Sequence, residues 1–231
     1  MIYNVIAFLI GITLVGFSGT PSRSTREIKT LVSPPKDLKY FVLGYNDSVA
    51  DSLWLRVIQD IDICEKNGAS AQGTPSLTSQ PESGKCEKGW VFTMLDAITQ
   101  LAPKFRIVYA AGGVLLSVVV QDTEGARIIF DRGLENFPHD WPLEYKAAYH
   151  YMDNVKDLKK AADLMVAAAK DGAPSWTYSL AAHLYTKEGQ AFLAKSMLED
   201  LLQNHPDERY NKKLEIRLKE ANEVLAKAQP K

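Results

Sequence analysis

Two cysteines and four histidines are the residues of this 231-residue chain best equipped for chemistry, and their spacing is the first thing to read. Cys64 and Cys86 flank "EKNGASAQGTPSLTSQPESGK", and each opens the tripeptide Cys-Glu-Lys. There is no CxxC, and no histidine lies between them. A structural zinc site needs four ligands, and two separated thiols do not supply them. The pair is therefore either two reduced thiols or a disulfide. The stretch "FPHDWPLEYKAAYHY" gathers His139, Asp140 and His150. His139-Asp140 falls just after Pro138, where Asp140 reads as a helix N-cap and Trp141 as its hydrophobic staple. His150, His183 and His205 fall in separate segments without ligand spacing. No Ser-His-Asp set, phosphate loop or paired-carboxylate signature emerges. The expectation is no catalytic residue, no metal and no cofactor.

Composition narrows the class further. The formal net charge is -1, which argues against a dedicated nucleic-acid binder. The hydrophobic fraction of 46% is that of an ordinary globular protein. Residues 1–20, "MIYNVIAFLIGITLVGFSGT", contain no charged side chain and read as a signal or membrane-anchor segment. Charge begins at Arg23, Arg26 and Lys29. Basic residues after the apolar run favour a cytoplasmic C-terminal part by the positive-inside rule. Residues 21–37 are polar with Pro21, Pro34 and Pro35, and read as a tether.

The elements that must position these groups are helical. Val49, Leu53, Val57, Ile61 and Cys64 recur at steps of three and four, predicting a helix over about 47–66 capped by Asp47 or Ser48. From Trp90, residues Val91, Met94, Leu95, Ile98 and Leu101 share one face. The run "RIVYAAGGVLLSVVV" is β-branched at its end, but Ala-Ala-Gly-Gly at its centre suits a tightly packed helix over 104–122 better than a strand. Prolines close successive segments at Pro103, Pro138, Pro174 and Pro206. Each follows an amphipathic stretch, and proline there stops one helix and suits the turn into the next.

This phasing resembles the tetratricopeptide repeat, a helix–turn–helix unit with a period of about 34 residues. The small–large–small–proline pattern of its second helix is matched by Ala126, Phe130, Gly133 and Pro138. It recurs at Ala162, Val166, Ala169 and Pro174, and at Ala194, Leu198, Leu201 and Pro206, where Leu201 departs from small. The fourth first helix matches at Tyr178, Ala181, Ala182, Tyr185 and Gly189; the third, with Lys146, Tyr149 and His150, matches poorly. "GYNDSVADSLWLRVIQ" is similar to bacterial exported, membrane-anchored repeat proteins. The resemblance implies an all-α, right-handed solenoid of antiparallel helix pairs over 38–206. Residues 67–89 become an insertion in the first repeat, and 207–231 a capping helix with a stripe of Leu214, Leu218, Val224 and Leu225.

In that phasing the ends of the insertion meet, so Cys64 and Cys86 read as a disulfide. Closing a ring of this size contributes about 3 kcal/mol in the chain-entropy model. Disulfides persist in oxidising compartments, which favours a membrane-anchored protein facing the periplasm or exported. The repeat phase points Glu144, Tyr151, Asn154, Trp176, Ser179 and His183 toward a concave groove, or else packs Tyr151 and Trp176 between repeats. The implied role is a non-catalytic scaffold or adaptor of a bacterial envelope assembly that binds a protein or peptide partner. The alternatives are a small-ligand binder or enzyme on the same frame, and a cytoplasm-facing adaptor.

Overall fold

Burial recurs at helical steps from Ala50 to Ala221, and that period builds the chain. The computed structural model describes residues 31–69, 89–204 and 208–228, all within the unit Leu31–Lys231. Among these residues every regular element is a helix and none is a strand. The apolar segment 1–20 and the cysteine pairing lie outside the described residues. No described helix is long and apolar enough to cross a membrane.

After a short 3-10 helix at Leu38–Tyr40, nine longer helices follow in order among the described residues. They are α1 (Asn46–Ala69), α2 (Trp90–Leu101), α3 (106–120), α4 (Thr123–Asn136), α5 (141–155), α6 (Leu158–Lys170), α7 (Trp176–Lys187), α8 (Ala191–Asn204) and α9 (Glu208–Ala228). Each packs on its chain neighbour, so α1 pairs with α2, α4 with α5, α5 with α6, α6 with α7 and α7 with α8. One apolar core runs from Val42 to Ala147, and a second from Ala148 to Ala221, so α5 contributes to both.

The stretch 106–120 is helical, as its central small residues suggest. It departs from a plain α-helix in two π-helical segments, Val108–Gly112 and Leu115–Val120. Helix α5 ends the same way, over Tyr151–Val155. Both wide turns close on a left-handed residue, Gln121 at φ 58° and Lys156 at φ 67°. The next residue is an aspartate that caps the following helix: Asp122 accepts from Gly125 N at 2.9 Å, and Asp157 from Lys160 N at 2.9 Å. The turn into α5 repeats this, with His139 at φ 67° and Asp140 accepting from Leu143 N at 3.2 Å. Each cap satisfies an orphan helix N–H and is worth about 1 kcal/mol.

Small residues let α3, α4 and α5 approach. A Cβ added at Gly113 would lie 2.7 Å from the Phe130 ring. One at Gly133 would lie 2.9 Å from Tyr109 Cβ and 3.1 Å from Leu143 Cδ2. Of the positions expected to match in α6, Ala162 is buried, but the burial pattern of the helix as a whole is offset by one residue. Ala126, Phe130 and Gly133 correspond in burial to Ala161, Met165 and Ala168, and then to Ala194, Leu198 and Leu201. Val166 and Ala169, the expected positions in α6, are only half-buried. The turn after α6 holds an additional residue around Gly172, at φ 104°, so alignment on Pro174 shifts the helix by one.

The chain ends also differ from expectation. Residues 31–37, read as tether, include the Val32 carbonyl that accepts from the Trp90 indole N–H at 3.1 Å. Helix α1 runs through Ala69, so the insertion begins later than residue 67. Helix α9 lies on both α7 and α8, with Leu214 and Ala221 buried and Val224 exposed.

Gly133→Ala tests the close approach. Its methyl meets the Cβ of Tyr109, which cannot swing aside, so stability should fall by about 1–3 kcal/mol. Urea denaturation monitored by circular dichroism checks it.

Candidate functional site

The six groove candidates sit on α5 and α7 and divide by burial. Glu144, Tyr151 and Ser179 are buried, Trp176 is 38% exposed, His183 is half-buried and Asn154 is exposed. Tyr151, Asn154 and His183 bond within the fold, while Glu144 Oε2 is buried without a hydrogen-bond partner.

Tyr151 closes a clamp. Its hydroxyl donates to Asp131 Oδ1 at 2.6 Å and accepts from Lys160 Nζ at 2.7 Å. Lys160 also reaches Asp131 at 2.9 Å and lies 4.1 Å from the Tyr151 ring centroid. Burial, with the Asp131 hydrogen bond, raises the pKa of this phenol. One helix pair later the arrangement recurs. Tyr185 donates to Asp163 Oδ1 at 2.5 Å, and Lys159 holds the other Asp163 oxygen at 2.9 Å. Each clamp ties the end of one helix to the body of an earlier one.

Ser117, His150 and Asn154 tie α3 to α5. Ser117 Oγ lies 2.9 Å from His150 Nδ1 and donates to Asn154 Oδ1 at 3.1 Å, while Asn154 Nδ2 donates to the Ser117 carbonyl at 3.3 Å. With the serine proton spent on Asn154, Nδ1 of His150 is the donor to Ser117. Burial lowers the His150 pKa and holds the ring neutral, while the Thr123 backbone pulls the other way. Nε2 of His150 is buried and has no hydrogen-bond partner. Ser117 is 5% exposed and donates away from the imidazole, so this pair is not arranged as a nucleophile with its base.

Glu144 meets Asp171 at the start of α5. Burial first, and then the neighbouring Asp171 carboxylate, push its pKa up to about 7. His139 Nδ1 stands 3.1 Å from Asp171 on the solvent side. Asp140 beside it forms an ion pair with Arg106, which lowers its pKa and draws α3 against the cap of α5. Among the described residues no group of three or more His, Cys, Asp or Glu side chains is placed to hold a metal ion.

The accessible part of the surface is aromatic. Tyr145 stacks edge-on with Tyr149 at 4.8 Å and with Trp176 at 5.7 Å, and the two phenol oxygens are 3.2 Å apart. All three rings are partly exposed. Tyr145 and Tyr149 were absent from the expected groove. They share a face at a four-residue step, which the sequence shows, but only packing reveals that Trp176 of α7 continues the strip. His183, the other α7 candidate, is approached by α9 instead: Arg217 Nη1 lies 3.2 Å from its Nδ1 and Glu220 Oε2 at 3.7 Å. Burial, then Arg217 and Lys187, lower the His183 pKa.

Comparison with protein-family models finds no match to this chain, and comparison with curated proteins finds none.

Two outcomes follow from the buried groups. The raised Glu144 pKa means the folded state holds a proton that the unfolded chain releases near its ordinary value. That contribution is complete below about pH 4.5 and is lost as pH rises through about 7. Glu144→Gln should therefore remove about 1–2 kcal/mol of the stability lost between pH 5 and pH 8, read from urea curves at both values. Tyr151→Phe and Tyr185→Phe should each cost about 1–2 kcal/mol by leaving a carboxylate short of a donor, with additive losses in the double variant.

Proposed function

We propose that this chain is a tetratricopeptide-like helical scaffold, tethered to a membrane through its apolar N-terminal segment, that binds a protein or peptide partner and performs no chemistry itself. The partly exposed strip of Tyr149, Tyr145 and Trp176 carries the reading. Aromatic rings with polar tips supply large contact area at small entropic cost, and they dominate protein-binding surfaces. The recurring small residues on α4, α6 and α8 support the repeat architecture, since they allow the helix pairs to stack. The sequence adds the compartment. Residues 1–20 are free of charge, and a Cys64–Cys86 disulfide would belong to an oxidising environment, so the domain faces the periplasm or the exterior. Nucleic acid is not a partner in this reading, because the chain is nearly neutral.

The groove proposed from sequence is thereby narrowed. Tyr151 and Glu144 serve the scaffold, and Trp176 remains as the anchor shared by both readings. Photocrosslinking in native membranes followed by pulldown tests it. Tyr145→Ala with Trp176→Ala should reduce recovery of the wild-type partner at least tenfold, while Phe192→Ala, at an exposed position on α8, should leave it unchanged. Equal recovery by all three proteins would remove the strip as the binding surface.

A further inference from the structure

Before α1 the chain displays apolar side chains for which the fold has no use. In the stretch Tyr40-Phe41-Val42-Leu43-Gly44-Tyr45, only Val42 is buried. Leu43 is 88% exposed, Phe41 73%, and Tyr40 and Tyr45 are each 70%. Leu43 is held at φ 48° and Gly44 at φ 87°. A left-handed leucine is strained, and here the strain places a large apolar side chain in water. The loop is nevertheless fixed. Val42 enters the core, and Tyr45 N–H donates to the Val42 carbonyl at 2.8 Å. Four large apolar groups on a pinned turn form a patch of the kind that marks an interaction surface.

We infer that this loop, Tyr40 to Tyr45, is an interfacial membrane contact that inserts its side chains among the lipid headgroups and upper acyl chains. The inference rests on the membrane tethering proposed above. Three observations select a bilayer over a protein. First, the described unit begins at Leu31, where the Val32 carbonyl is bonded to Trp90, and the charge-free segment ends at residue 20. The ten intervening residues reach at most about 35 Å, so a bilayer holding residues 1–20 would be kept within reach of this end of the domain. Second, Tyr40 and Tyr45 have the apolar body and polar phenol tip that settle at a membrane–water interface, and Phe41 and Leu43 supply the purely apolar groups that bury beneath it. Third, Lys36 and Lys39 flank the patch on one side, with Lys39 Nζ 5.1 Å from the Tyr40 ring centroid. Their long stems suit snorkelling to the headgroups. Asp37, Asp47 and Asp51 balance them, so attraction is apolar rather than electrostatic and does not require anionic lipid.

The full chain carrying Phe41→Trp, reconstituted with phosphatidylcholine vesicles, tests this. Brominated acyl chains quench indole only on contact, and wild type supplies the background from its four tryptophans. The added emission of the variant should be blue-shifted and quenched at least twofold by lipid brominated near the headgroup, without loss in high salt. Flotation of the same samples separates the two readings. Protein that floats while the introduced indole stays unquenched overturns the loop contact alone, and protein that does not float overturns the tethering as well. A blue shift that needs no lipid and grows with protein concentration would assign the loop to self-association and also overturn the proposal. Adding Leu43→Ser to the Phe41→Trp variant should reduce quenching of the introduced indole while leaving flotation intact.

Discussion

The approach of α3, α4 and α5 at their crossing sets the terms for the rest of the molecule. Gly113 sits against the ring of Phe130, and Gly133 admits the Cβ of Tyr109 and the end of Leu143. With backbones this close, side chains of ordinary size have to be placed around the crossing rather than in it. The π-helical turns at the ends of α3 and α5 follow the same logic, since a wide turn changes the angular position of what comes after it. Ser117 and Asn154 lie in those two turns and bond to each other, with His150 beside them. The two distorted helices are thus tied together by one partly buried polar cluster.

Beyond the crossing, polar groups hold the helices in register. The clamps from Tyr151 to Asp131 and from Tyr185 to Asp163 join one helix to another that precedes it by about twenty residues. A lysine pairs with each carboxylate, and because all four side chains keep part of their surface in water the desolvation cost stays small. Glu144 is a different case. It faces another carboxylate rather than a cation, so its neutral form is the one the fold accommodates. These groups are spent internally, whereas the rings of Tyr145, Tyr149 and Trp176 stay partly exposed, with the two phenols bonded only to each other at 3.2 Å.

The two ends of the described chain are treated unlike each other. At the C-terminal end, α9 covers apolar surface on α7 and α8 and brings Arg217 and Glu220 to His183. At the N-terminal end, the residues before α1 cover part of α2 through Leu31 and Leu38 but leave four large apolar side chains in water. Only the C-terminal end has such a charged covering helix among the described residues.

The helical class was legible in sequence because apolar spacing is a local property. Val49 to Ile61, Val91 to Leu101 and the segments ending in proline declare a period near 3.6 without reference to partners. The aspartate cap of α5 was legible for the same reason: it acts on an amide three residues away. Sequence also marked the N-terminal segment as charge-free and the cysteines as too few for a zinc site. What tertiary structure decided was direction. Aligning α6 on Pro174 placed Val166 and Ala169 where Met165 and Ala168 belong, because a turn can absorb one residue and a helix cannot. Glu144 looked like a surface residue of a first helix and packing turned it inward, while Tyr151, left open between groove and interior, is buried. Trp176 stayed 38% exposed, with the Tyr145 ring edge-on beside it. Spacing along a chain determines which residues lie together on one helix, but which neighbour covers that face depends on contacts between residues twenty to forty positions apart.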